Sequence, residues 1–284
     1  MPQASWIPES HCAVAQSLAV LSDAWDVLLV RDLVRGIRRF DQLTAELGIS
    51  RKVLTERLRK LEVHGLIDRH PYQEAPVRFE YRLTPRGAAL VPVLVALQDW
   101  GDRWLLGDGM PSAQDDPATS ARLHGLVGTR VPELALPATT GGTLDVVAET
   151  RTVLFGYPMT VTQPPPEGWH DIPGASGCTL ENRLFRDAHA EFQSKGLAVR
   201  GVSTQLPAQQ RAFSDHEGVL FPLLSDAKLE LTAALRLPVF TGGETPRLRR
   251  FILIVDPDRT VHSVLFPVVD IPVAVQWSLA TASS

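Results

Sequence analysis

The sequence contains few cysteines, no long apolar run and no large excess of one charge. Only Cys12 and Cys178 occur among its 284 residues, so a disulfide framework is excluded and each thiol is a candidate for chemistry. No run of apolar residues reaches the length that a bilayer requires, and the N-terminus lacks the layout of a signal peptide. These absences predict a cytoplasmic protein with free thiols and no membrane association.

The charge is small overall but unevenly distributed. A formal net charge of −4 argues against a protein that coats nucleic acid. Residues 31–60 nevertheless hold nine Lys or Arg and only four Asp or Glu. Such a local basic surface on an acidic protein indicates contact with phosphate groups.

The length of the chain predicts two domains. Residues 107–120 have few apolar side chains and many turn formers, which is typical of a linker. We therefore expect a first domain at residues 8–106, a linker at 107–125 and a second domain at 126–280. No internal repeat is apparent.

The first domain has the pattern of a mainly α winged helix-turn-helix. Apolar residues recur at helical spacing over residues 14–33, 40–47 and 51–63. Two alternating segments, 66–69 and 78–83, then predict a β-hairpin, and Pro85 begins a last helix that is expected to run to Trp104.

The helix that follows Ser50 presents the residues expected to meet DNA. Arg51 and Lys52 in its first turn can contact phosphates, while Thr55 and Arg59 can reach base edges in the major groove. Arg78 in the hairpin can enter a minor groove or touch the backbone. Each residue alone could be an ordinary solvated side chain. Together with the hairpin and the basic stretch, they favour DNA binding.

The second domain alternates strands with helices. Short apolar segments at 153–157, 199–203 and 251–255 predict strands, and residues 180–194 and 207–216 have helical patterns. This alternation predicts an α/β sandwich around a central sheet.

Cys178 directly precedes one of these helices. The positive end of a helix dipole favours a thiolate, so we expect the pKa of Cys178 to fall. Arg250, at the start of a strand, could supply the donors that hold a peroxide beside the sulfur. The alternatives are a buried structural thiol and a surface arginine. The buried stripe of the helix is expected to consist of Leu180, Leu184, Ala188 and Phe192.

The first domain resembles the HxlR-type family of bacterial regulators. The resemblance covers nearly all of residues 8–105 and lies in the motifs LSDAW at 21–25, GIRRFDQL at 36–43, GISRKVLTERL at 48–58 and EYRLTPRG at 80–87. It implies a homodimer on a roughly palindromic operator, with Cys12 at the place of a redox-sensing cysteine. The family usually has proline after that cysteine, whereas this chain has Ala13.

The second domain resembles atypical peroxiredoxins of the bacterioferritin-comigratory type. The resemblance runs from about residue 126 to 270 and lies in GTRVPELAL at 128–136, FGYP at 155–158, GCT at 177–179, FRD at 185–187, GVS at 201–203, FPLLSD at 221–226 and RFILIVD at 250–256. It implies an α/β thioredoxin-like fold, with Cys178 as peroxidatic cysteine and Arg250 as its activating arginine. No metal or cofactor is implied.

Three departures from that family bear on activity. Ala175 and Asp171 replace the threonine and proline of the usual loop before the cysteine, and Ser176 is the candidate to supply the missing hydroxyl. Residues 160–172 form an insert that contains three consecutive prolines. Arg183 occupies the position of the resolving cysteine that many relatives have. Oxidised Cys178 would therefore stay a sulfenic acid, take up a small thiol or pair with a cysteine of another domain or chain.

Three functional hypotheses remain. The first is a dimeric regulator that binds operator DNA and senses a peroxide or another electrophile through Cys178, Cys12 or both. The second is a one-cysteine thiol peroxidase, reduced by a small thiol or a thioredoxin-like protein, whose winged helix serves dimerisation. The third is a degenerate peroxiredoxin-like domain that only binds a ligand or a partner.

Overall fold

The chain folds into two compact units, which comprise residues 1–94 and 95–284. The computed structural model describes residues 11–107, 109, 117–162, 164–242 and 245–283. Residues 8–10 of the expected first domain, residues 108 and 110–116 of the expected linker and residue 163 of the insert therefore lie outside the described residues.

The first unit has the predicted order of helices followed by a hairpin. Its elements are α1 (Ala13–Val20), α2 (Ala24–Val34), α3 (Phe40–Leu47), α4 (Arg51–Val63), β1 (Ile67–Glu74), β2 (Val77–Leu83) and α5 (Pro85–Ala88). No single described helix is long and apolar enough to cross a membrane, and α1 and α2 pass that test only together, as a pair bent by 78°.

Local capping explains where these helices begin. Asp23 accepts a hydrogen bond from the N–H of Trp25 at 2.9 Å, which separates α2 from α1 although the apolar spacing runs on. Ser50 caps α4 as predicted, since its hydroxyl accepts from the N–H of Val53 at 3.3 Å. The buried side chains of the unit include Leu29, Leu33, Leu43, Leu54, Leu58 and Leu61.

The second unit begins inside helix α6 (Val91–Gly101), which is followed by a π-helical segment, Asp102–Leu106. The single helix expected from Pro85 to Trp104 is therefore divided. Another helix, α7 (Pro117–His124), lies within the segment expected to be a linker. It is fixed by Arg122, whose guanidinium bonds both carboxylate oxygens of Asp102 at 2.7 and 2.8 Å.

A mixed five-stranded sheet forms the centre of this unit, in the order β11-β10-β5-β6-β7. Its strands are β5 (Thr152–Gly156), β6 (Ala198–Ser203), β7 (Leu223–Ser225), β10 (Phe251–Val255) and β11 (Val261–Leu265). Two hairpins flank it, namely β3 (Ala135–Pro137) with β4 (Thr143–Asp145), and β8 (Val239–Gly242) with β9 (Thr245–Leu248). The helices are α8 (Cys178–Asp187), α9 (His189–Ser194), α10 (Pro207–Glu217), α11 (Glu230–Ala234) and α12 (Ile271–Ala282).

Strand register brings two distant parts of the sequence to one edge of the sheet. β10 runs antiparallel to β5, with Phe251 opposite Gly156, so the start of β10 lies beside the end of β5. A Cβ atom on Gly156 would lie 2.1 Å from the ring of Phe251, so only glycine fits there. The loop that leaves β5 and the residue that precedes β10 therefore meet.

The buried stripe of α8 differs from the prediction. Phe185 is fully buried and stacks on Phe155 with ring centroids 4.2 Å apart, and Cys178 and Glu181 are buried on the same helix. Leu180 was expected in the stripe but is 48% exposed. The buried face thus includes polar side chains, which an apolar periodicity cannot reveal.

Candidate functional site

Cys178 and Arg250 meet at the edge of the sheet described above. Cys178 is the first residue of α8, and one terminal nitrogen of Arg250 (Nη2) lies 3.0 Å from its sulfur. Both side chains are only 4% exposed. These two residues were expected to act together, and the structure brings them into direct contact across 72 positions of the chain.

Two backbone groups complete the immediate surroundings of the sulfur. The N–H of Met159 points at Sγ from 3.5 Å, and the thiol lies 3.7 Å from the carbonyl oxygen of Ala175. Met159 belongs to the loop that follows β5. Gln205 fixes that loop, because its side-chain amide accepts from the N–H of Thr160 at 2.8 Å and donates to the Thr160 carbonyl at 2.7 Å.

The turn before α8 requires glycine. Gly177 has a φ of +109°, and a Cβ atom there would lie 2.7 Å from Ile271 and 3.6 Å from the guanidinium of Arg250. An L side chain rarely adopts such a φ. Gly177 therefore supplies the positive φ of this turn and leaves room for the side chain of Ile271, the first residue of α12.

Arg250 is held by a second buried acid that sequence reasoning missed. Its Nε donates to the carboxylate of Glu181 at 3.1 Å, and its terminal nitrogens donate to the carbonyls of Gly174 and, at 3.3 Å, of Ala175. Glu181 is 1% exposed, and its other carboxylate oxygen has no hydrogen-bond partner among the described residues. An acid one helical turn after the cysteine was the available signal.

The structure corrects the expected acidity of the thiol. Burial raises the pKa of Cys178, Arg250 lowers it, Glu181 raises it again and the N–H of Met159 lowers it, with a raised pKa as the net result. Burial also raises the pKa of Glu181 to about 7, against the lowering effect of Arg250. The prediction that the helix start would lower the pKa of Cys178 was wrong, because desolvation and a second acid outweigh it.

Ser176 does not take the place of the missing threonine. Its side chain is exposed, and its hydroxyl lies 3.1 Å from Nδ1 of His170. Ala175, by contrast, is buried against the sulfur and contributes only its carbonyl group. The described contacts of Ser176 thus do not include Cys178.

Cys12 lies at the N-cap of α1 in the first unit. Its sulfur accepts a hydrogen bond from the N–H of Ala15 at 3.4 Å, and the residue is partly exposed. The side chain of Cys12 therefore caps the N-terminus of α1 as a serine side chain would.

All five residues predicted to contact DNA are exposed. Arg51 is paired with Asp41 at 2.8 Å and lies over the ring of Phe40 at 4.8 Å, and Thr55 donates to the Arg51 carbonyl at 2.8 Å. The other three exposed residues are Lys52, Arg59 and Arg78. The guanidinium of Arg51 is thus already paired with Asp41. Lys52 is therefore the cation at the start of α4 that is less restricted in contacting a phosphate.

Comparisons with known proteins assign both parts of the chain. Residues 20–108 match the HxlR-like helix-turn-helix family, and residues 127–264 match the AhpC/TSA family. An uncharacterised HTH-type transcriptional regulator of Synechocystis is 45% identical over 95 residues, which are 33% of this chain and 70% of that protein. The chain belongs to the HxlR-like helix-turn-helix family. Its C-terminal part has the thioredoxin-like fold of peroxiredoxins.

Further relatives cover the same N-terminal part. A regulator of Bacillus subtilis is 40% identical over 32% of this chain and 84% of its own length. A regulator of Mycobacterium bovis is 44% identical over 33% of this chain and 59% of its own length. Both are named as uncharacterised HTH-type transcriptional regulators. Among solved structures, peroxidoxin BcpB of Mycobacterium tuberculosis is 27% identical over 55% of this chain and 95% of its own, with a TM-score of 0.45.

Proposed function

We propose that this chain is a cytoplasmic, homodimeric transcriptional regulator that binds operator DNA and senses a peroxide or a related electrophile through Cys178. The observation that carries the proposal is the 3.0 Å contact between Arg250 and the buried sulfur, in a chain of a DNA-binding regulator family. A thiol held against a guanidinium and a backbone N–H is equipped for nucleophilic attack.

The chemistry at Cys178 is oxidation by two electrons. The thiolate sulfur attacks one oxygen of the peroxide, an S–O bond forms and the O–O bond breaks. The second oxygen leaves as alkoxide or hydroxide and takes a proton from solvent. Arg250 and the N–H of Met159 are the donors that can stabilise the charge on the leaving oxygen.

The surroundings of Cys178 favour a single sensing event over rapid turnover. The raised pKa leaves less thiolate at neutral pH than an activated cysteine would have. Arg183 stands where a resolving cysteine was expected, and it is paired with Glu217 at 2.6 Å. A sulfenic acid formed at Cys178 therefore has no neighbouring thiol on α8.

Exposed apolar side chains support a homodimer. Val14 and Leu18 of α1 are more than half exposed, and so are Leu97 and Trp100 of α6. Large apolar side chains clustered on a helix face commonly mark a protein interface. A second copy of the chain is the partner that palindromic operators require.

A gel shift with the DNA upstream of the protein's own coding sequence tests the proposal. Mild peroxide should change the affinity of the wild type for this DNA. Cys178→Ser should abolish the response and leave binding by the reduced protein intact, and Cys12→Ser shows whether the other thiol contributes. If both variants respond as the wild type does, redox sensing through these thiols is refuted.

A thiol peroxidase is the second candidate, because the donors around Cys178 would serve turnover as well. Sustained consumption of peroxide by the full chain with an external thiol, lost in Cys178→Ser, would support it. Consumption that stops after one equivalent favours the sensor.

A further inference from the structure

A second arginine, Arg247, lies on the hairpin that borders Cys178. In the β8–β9 pair it stands directly opposite Phe240, so both side chains project from the same face of the hairpin. Phe240 packs in a buried cluster with Met159, Trp169 and Ala175. Because Met159 and Ala175 both contact the sulfur, this face of the hairpin is turned towards the reactive cysteine.

The guanidinium of Arg247 is not committed to the protein. Its Nε is buried without a hydrogen-bond partner, and no ion pair joins it to another residue in the part of the chain that the structure describes. Burial lowers the pKa of Arg247, and the charge that acts in the opposite direction is that of Cys178. Arg250 differs, since its donors are taken up by Glu181, two carbonyls and the sulfur.

A buried donor without a partner costs free energy unless a ligand accepts from it. The ligand that fits is an anion attached to a group that reacts at Cys178, and a carboxylate is an anion with which a guanidinium forms strong, frequently bidentate hydrogen bonds. Arg183 stands on α8 where a resolving cysteine was expected, and a thiol from solution is one of the groups that can cap the oxidised form of Cys178.

We propose that Arg247 binds the carboxylate of an anionic low-molecular-weight thiol that forms a mixed disulfide with oxidised Cys178. This inference rests on the proposed oxidation of Cys178. In the capping step the thiol sulfur attacks the sulfenic sulfur, an S–S bond forms and the S–O bond breaks. The hydroxyl group leaves with the thiol proton as water, so no further oxidant or reductant is consumed.

The first test needs no peroxide chemistry. The reduced full-length protein is alkylated with iodoacetate and with neutral iodoacetamide, and mass spectrometry follows the rate at Cys178. The ratio of the alkylation rate with iodoacetate to that with iodoacetamide should be about tenfold lower in Arg247→Gln than in the wild type. A loss of this size is expected when a hydrogen bond to a charged group is removed. Arg247→Lys should keep part of the preference. Arg211→Gln, an exposed arginine of α10, is the control for net charge.

The second test follows capping after one equivalent of peroxide. Mercaptoacetate should form the mixed disulfide faster than mercaptoacetamide in the wild type, and Arg247→Gln should remove the difference. The variant should keep its rate with the neutral thiol. In either test, the rate with the anionic reagent is divided by the rate with the neutral reagent. If this ratio is the same in wild type and Arg247→Gln, the role of Arg247 is overturned.

The two proposals fail in different ways. If peroxide does not oxidise Cys178, the sensor is refuted, and capping by a thiol is refuted with it. If Cys178 is oxidised but charge on the thiol makes no difference, only the role of Arg247 is lost. A cysteine that neither alkylating reagent modifies also refutes that role, since the site must admit a ligand.

Discussion

Removing the charge of Glu181 is expected to activate Cys178. Arg250 is one buried cation between two acids, the thiol of Cys178 and the carboxyl of Glu181. Glu181→Gln keeps the size of the side chain and removes its negative charge. Arg250 then has a single anionic partner, and the thiolate no longer meets a second negative charge on the same helix.

The size of the effect follows from the helix geometry. Residues three apart on a helix have Cβ atoms about 5–6 Å apart. Two charges at about 6 Å and an effective dielectric constant of about 20 repel each other by about 3 kcal/mol. This corresponds to a factor of about 100 in the ratio of thiolate to thiol. The full factor applies only where Glu181 is ionised.

The pH determines where the variant and the wild type differ in reaction rate. The pKa of Glu181 is about 7, so the carboxyl is neutral well below that pH and charged well above it. Wild type and Glu181→Gln should therefore react alike at acidic pH. Above the pKa of Glu181 the variant should react faster, by up to about 100-fold, until the thiol of the wild type ionises as well.

Alkylation of Cys178 by neutral iodoacetamide, followed by mass spectrometry over a range of pH, measures this difference. Asp187→Asn is the control, because it removes a negative charge from the other end of α8, where Asp187 is paired with Arg186 at 2.8 Å. Equal rates for Glu181→Gln and wild type above the pKa of Glu181 would refute the competition for Arg250. So would an equal acceleration in Asp187→Asn.

Four further substitutions test other parts of the structure. Phe185→Ala should lower the free energy of unfolding by about 3–5 kcal/mol in urea titrations, because it empties a fully buried site. Gly177→Ala should slow alkylation of Cys178 and lower stability by about 1–3 kcal/mol, because φ is +109° there; an unchanged rate would contradict the need for glycine. Lys52→Ala should weaken binding to all DNA sequences and reduce the salt slope by about 1 in filter binding, whereas an unchanged slope would exclude phosphate contact. Trp100→Glu should shift the protein to monomers in analytical ultracentrifugation, and a persistent dimer would place the interface elsewhere.

The contact between Cys178 and Arg250 could be predicted because each residue sits at the end of a regular element. A cysteine at a helix start and an arginine at a strand start are visible in the sequence, and the order of strands decides that they meet. Residues 251–255 were expected to form a strand, and β10 spans Phe251–Val255, with Phe251 opposite Gly156. The antiparallel pairing of β10 with β5 then places Arg250 beside the loop that follows β5.

Other features depend on packing that a single sequence does not reveal. Glu181 is buried beside Arg250, which reaches it from the residue before β10, whereas the apolar periodicity of α8 pointed to Leu180. The predicted acidity of Cys178 considered the helix start and left out desolvation, which depends on the side chains that cover the sulfur. The hairpin β8–β9 was missed altogether, although it carries Phe240 and Arg247.

The burial of Cys178 links chemistry at the sulfur to movement of the protein. The sulfur is enclosed by the loop of Met159, the carbonyl of Ala175 and the guanidinium of Arg250. Interiors packed to this density have no room for additional heavy atoms without displacement of their neighbours. A single oxygen atom on the sulfur occupies little space. A thiol attached through a disulfide is larger and must displace the cluster that contains Trp169 and Phe240. A mixed disulfide is therefore expected to change the structure more than a sulfenic acid does, so capping is expected to enlarge the effect that oxidation has on a second function of the chain.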